Sequence, residues 1–87
     1  MPTDAYKMVE KDLMFLGDIL CIGIIKKGLQ KVGSVPDIAT PEDLMKALDA
    51  HIEPAMVSFI GPGEAHQRSL KIKKELAKMQ NPQGAPP

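Results

Sequence analysis

The chain has 87 residues, enough for one domain at most. Hydrophobic residues make up 44%, but Trp is absent and the only aromatics are Tyr6, Phe15 and Phe59, so any core must be aliphatic. Eleven basic and eleven acidic side chains cancel, which removes the global positive field that most nucleic-acid binders use to attract phosphates.

Thr3 is positioned as an N-cap with Asp4 in the first turn, where the helix dipole favours an acid, so a first helix is expected to begin there. Val9, Leu13, Leu16 and Leu20 follow with steps of four, three and four, a helical stripe. The run Leu13 to Ile25 is apolar on nearly all sides, broken by Asp18, and is expected to be the central, most buried element. Thirteen residues fall short of the ~18 that a membrane span needs, so the run reads as a core helix and no membrane insertion is expected. Met1-Pro2-Thr3-Asp4 carries no basic region of the secretory type ahead of it. The single Cys21 cannot form an internal disulfide, and a buried, inert thiol in a reducing cytoplasm is expected.

Gly17 followed by Asp18 reads as a C′ glycine and an N-cap, dividing the stretch into two helices that meet at an angle; the alternative is one long helix that carries Gly17, Gly23 and Gly28. Gly23 and Gly28 offer places for another helix to approach closely. Lys26, Lys27 and Lys31 suit the negative end of the second helix, which is expected to stop at Gly33-Ser34. Pro36 makes Val35 to Ala39 a connector. Thr40-Pro41-Glu42-Asp43 then supplies a hydroxyl N-cap, a proline at the first helical position and two acids, so a helix starts at Pro41. Leu44, Leu48 and Ile52 form its buried stripe, continued by Ala55, Met56 and Phe59, with a kink or restart near Glu53 imposed by Pro54.

Gly61-Pro62-Gly63 breaks the chain again, as a tight interhelical turn, and Glu64 is expected to open the last helix. Ala65, Ser69, Ile72, Leu76 and Met79 give it one narrow apolar face, with Leu70 beside the seam. Residues 81–87, with three prolines and one glycine, read as a disordered tail behind a single domain over residues 1–80.

Arg68, Lys71, Lys74 and Lys78 crowd with Lys73 onto that last helix, Lys71, Lys74 and Lys78 on one face. Such a face is open to three readings: simple solvation, contact with an acidic protein surface, or nucleic acid, the last without the interleaved aromatics it would need. The middle segment has the opposite sign, Asp37, Glu42, Asp43, Asp49 and Glu53 against Lys46, which points either to internal pairing of the two helices or to contacts between molecules. His51 and Glu53 lie two apart on different faces, His66 is fifteen residues on, and neither HExxH nor paired CxxC spacing occurs, so no metal or other cofactor is expected. No nucleophile motif occurs either, and an enzyme is not expected. Met8, Met14, Met45, Met56 and Met79 either line an adaptable apolar surface or fill gaps in a core poor in aromatics.

The order of Leu16-Gly17, Ile25 to Val32 ending in Gly33, Pro41-Glu42-Asp43-Leu44 with Ala47-Leu48, and Gly61-Pro62-Gly63-Glu64-Ala65 leading to Ile72-Lys73-Lys74-Glu75-Leu76 resembles a small helical archaeal module, the Nitrosopumilus output domain type. The resemblance covers about residues 13–78, and the stretch with Pro54 between Leu48 and Gly61 is longer than in that pattern. It implies an archaeal, cytoplasmic, non-catalytic module that transmits a signal or regulates by contact.

Together these readings lead to an all-α fold, a compact orthogonal array of four or five short helices. The expected function is that of a non-catalytic accessory or regulatory protein docking on a larger protein or enzyme complex. The alternatives are a DNA-binding or transcription-associated module using the last helix, and a self-assembling homodimer.

Overall fold

Residues 1–80 are described by a computed structural model, and the expected tail at 81–87 lies outside them. Helix α1 spans Asp4–Leu13, with the Thr3 hydroxyl accepting the Tyr6 N–H and burying Ala5, Tyr6, Val9 and Leu13. The same hydroxyl donates to the Ala39 carbonyl at 2.6 Å, and the Thr3 N–H donates to the Pro36 carbonyl at 3.1 Å. The start of α1 is thereby fastened to the connector that precedes the third helix.

A 3₁₀ turn, Met14–Leu16, ends at Gly17, whose φ of +96° is strained for any residue with a Cβ. The chain therefore breaks here, as one of the two readings of the sequence had it, although Gly17 is itself the N-cap and Asp18 the first residue of α2, Asp18–Lys31. The break resets the helical phase, and the apolar run does not become the buried centre. Cys21, Ile24, Ile25, Gly28 and Leu29 face inward, while Met14, Phe15, Ile19 and Leu20 are exposed, Ile19 by 87%. Leu16 is only partly buried, so the stripe expected to run from Val9 to Leu20 ends at Leu13. Helix α2 closes in a Schellman motif: Ser34 N–H donates to Leu29 O, Gly33 N–H to Gln30 O, and Gly33 takes φ +77°.

Thr40 and Asp43 form a capping box at the head of α3, Pro41–Ala47, and Ser34 Oγ donates to the Asp43 carboxylate at 3.0 Å. Those bonds, the Thr40 N–H first among them, hold the Asp43 carboxyl below its ordinary range. The helix does not stop after Ala47. It widens into a π-helical turn, Leu48–Ile52, in which Glu53 N–H reaches back five residues to Leu48 O, and resumes as α4, Glu53–Ile60. Pro54 explains the widening: it has no N–H for the Ala50 carbonyl, and its ring needs the space which that bond would occupy in an α-helix.

The wide turn also repairs the stripe. Residues four apart drift by about 40° per step on an α-helix, so Leu44 and Met56 would stand about 120° apart; one extra residue in the turn takes back about 100°. Leu44, Leu48, Ile52 and Met56 are accordingly all fully buried. The last turn of α4 directs Ile60 rather than Phe59 against the core, and Phe59 is left 53% exposed.

Gly61, at φ +85°, turns the chain into α5, Pro62–Gln80. This helix opens two residues before Glu64 because the fixed φ of Pro62 suits a first helical position. Ala65, Ser69, Ile72 and Leu76 are its buried face. The continuous run from Pro41 to Ile60 packs against α1, α2 and α5, and it, not Leu13 to Ile25, is the centre of the array. The Cα radius of gyration of 12.3 Å agrees with the ~12 Å of a compact chain of this length. Of the methionines, Met56 is core, Met8, Met45 and Met79 pack partly buried against it, and Met14 is 40% exposed, so most fill gaps.

Candidate functional site

The outer face of α5 is built by the same periodicity that buries its inner face. Lys71, Lys74 and Lys78 lie within an arc of about 60°, all exposed, with no carboxylate within ion-pair reach among the described residues. Arg68 stands at the edge of that arc and is engaged elsewhere. Its guanidinium lies 3.9 Å from the centroid of the Phe15 ring, and its Nε donates to Glu64 at 3.3 Å. Lys73 turns the other way and meets Asp49 of the π turn at 2.6 Å.

Much of the acidic middle segment is thus consumed within the fold. Asp49 takes Lys73, Glu53 takes His66 Nδ1 at 3.3 Å, Glu42 takes Lys46, Asp43 caps α3, and Asp37 lies 3.5 Å from the N-terminal amine. Internal pairing, one of the two readings of the charge pattern, holds for Asp49 with Lys73 and Glu53 with His66, whereas Lys71, Lys74 and Lys78 stay outside it. A second basic group, Lys27 and Lys31 on α2, lies near His51 and, after the effect of burial, pushes its pKa down. Asp49 and His51 point to nearly opposite sides of the π turn, so Lys73 and the Lys27 and Lys31 group flank different sides of the central helix.

Asp12 on α1 and Glu75 on α5 form a contact that charge spacing did not reveal. Among the described residues Asp12 Oδ2 and Glu75 Oε1 are shielded from solvent and have no hydrogen-bond partner, so two carboxyl groups meet where water does not separate them. The Asp12 carboxylate, placed to accept a hydrogen bond from protonated Glu75, is the main cause that raises the Glu75 pKa, followed by burial and the Asp12 charge, against the opposing pull of Lys71 and Lys78. Glu75 therefore keeps its proton to higher pH folded than unfolded. Its contribution to stability is complete below the ordinary glutamate range and is lost as pH rises through the folded value. Glu75→Gln, a permanent neutral donor, is expected to raise the thermal midpoint at pH 8 and leave it unchanged at pH 4; a difference between the two proteins that does not change from pH 4 to pH 8 would show that the Glu75 charge is not opposed by Asp12 in the fold.

The remaining chemical candidates are inert or local. Cys21 is fully buried, donates to the Glu10 carbonyl at 3.3 Å, and is pushed up to about 11 by burial and by Glu10 and Asp18, so its nucleophilic thiolate is disfavoured. Among the described residues no three His, Cys, Asp or Glu side chains converge as metal ligands, and no helix is long and apolar enough to cross a membrane. Comparison with protein-family models, curated proteins and solved structures gives no match to this chain.

Proposed function

We propose that the chain is a small, non-catalytic accessory protein of the cytoplasm that docks on an acidic surface of a larger protein through Lys71, Lys74 and Lys78. The observation that carries this reading is the contrast between a middle segment whose acids have partners inside the fold and a last helix whose outermost cations have none among the described residues. Cations so placed contribute little to folding and are available to steer and orient a partner. The resemblance to the archaeal output module supports the same mode of action, regulation by contact.

The test is capture of a complex with a C-terminally tagged chain, with and without nuclease. A stoichiometric complex that survives nuclease is expected, and Lys71→Glu, Lys74→Glu and Lys78→Glu combined should reduce its recovery about tenfold or more. Unchanged recovery by the triple variant would remove the face as the contact, and recovery lost with nuclease would transfer the role to nucleic acid.

One observation favours a second reading, a homodimer: Phe15, Ile19 and Leu20 are exposed near the start of α2. It requires a sedimentation coefficient that rises with concentration and no longer does so in Ile19→Glu; a monomer at both concentrations removes it.

A further inference from the structure

Two of the exposed lysines of α5, Lys71 and Lys74, border a groove of about 640 Å³ between α3 and α5. Its floor is apolar, formed by Met45 of α3 with Leu70 and Ala77 of α5, and its rim carries Lys71, Lys73 and Lys74. Met45 is packed against the core and fixes the floor from below, whereas Leu70 is 45% exposed on a helix face that is otherwise polar. The seven residues from Leu70 to Ala77 advance by about 10 Å, the distance between positions i and i+7 of a second helix. Lys73 already seats one carboxylate at this edge, that of Asp49.

We infer that this groove holds an acidic amphipathic helix of the partner protein, its apolar side chains on Met45, Leu70 and Ala77 and its carboxylates on Lys71 and Lys74. The inference rests on the accessory-protein reading and specifies the chemistry of the partner. Charge alone would accept any acidic surface, but the floor selects a ligand that combines acids with apolar groups at helical spacing. A single fatty-acid carboxylate would pair with only one of Lys71 and Lys74. The groove is also open to solvent along its length and encloses no acyl chain.

The probe is a fluorescein-labelled helical peptide with Leu at positions i, i+3 and i+7 flanked by Glu, compared by anisotropy with the same peptide carrying Ser at the three Leu positions. The full chain is expected to bind the Leu peptide about tenfold or more tightly than the Ser peptide. Leu70→Ser, at an exposed position that the fold does not need, and Ala77→Lys should each remove that preference without weakening the Ser peptide. Lys71→Glu with Lys74→Glu should abolish binding of both. Equal affinity for the two peptides, unaltered by Leu70→Ser, would overturn the groove while leaving the lysine face as a contact. Absence of binding by either peptide at physiological salt would overturn both.

Discussion

Leu48→Ala is expected to bring the chain to the edge of unfolding at 37 °C. Leu48 is fully buried in the central run and begins the π turn, where its carbonyl accepts the Glu53 N–H. Truncating a buried leucine costs about 2–5 kcal/mol through lost transfer energy and the cavity left behind. A chain of this length has roughly 4–13 kcal/mol in total. The cost should fall at the upper end of its range, because α2, α3 and α4 all meet the π turn and cannot collapse onto the gap independently. Urea unfolding followed by circular dichroism measures it: the midpoint should drop steeply with an unchanged slope. A loss under about 1 kcal/mol would mean that the surroundings close over the site.

Gly28→Val should destabilise by about 1–3 kcal/mol through overpacking, while Gly23→Ala, five residues earlier on α2, should stabilise by about 0.5–1 kcal/mol through helix propensity. A Cβ on Gly28 would lie 3.1 Å from Ile52 Cγ1, 3.2 Å from Ala47 Cβ and 3.4 Å from the Ala47 carbonyl oxygen. The Ile52 methylene can shift, but the two atoms of Ala47 belong to a rigid helix, and a β-branched side chain adds two further methyl groups to the same space. Gly23 has nothing within 4 Å of the equivalent point. The sequence pointed to close approach at both glycines, and the structure reserves it for Gly28. Parallel urea titrations of the two variants should move the midpoint in opposite directions; a midpoint lowered in both would mean that the outer face of α2 is covered in solution.

Signals carried by neighbouring residues were legible without coordinates. Thr40-Pro41-Glu42-Asp43 announces the start of α3 because a cap is satisfied within four residues, and Gly33 ends α2 for the same reason. The restart forced by Pro54 was also foreseeable, though its form, a widened turn that keeps Met56 in line with Leu44, was not. The burial of Leu13 to Ile25 was misjudged because apolar composition does not say whether a partner element covers each side. The phase break at Gly17 turns Ile19 and Leu20 outward. At the candidate site, helical periodicity was enough to group Lys71, Lys74 and Lys78. The removal of Arg68 to Phe15, of Lys73 to Asp49, and the meetings of His66 with Glu53 and Asp12 with Glu75 depend on tertiary packing, and spacing carries no trace of them.

The wide turn in the central helix has a bearing on how the length of this chain can vary. Deleting one residue from an ordinary buried helix rotates everything beyond it by about 100° and carries its apolar side chains out of the core. Here the turn already holds one residue more than an α-helix requires, so loss of the exposed Ala50 would let the two flanking segments join in regular α geometry with Leu44 and Met56 still facing the same way. Only Pro54 opposes that junction, since its ring would again meet the carbonyl four residues back. The π turn and the proline are therefore a matched pair, to be gained or lost together, and a shorter chain without both would present the same core with one peptide unit fewer.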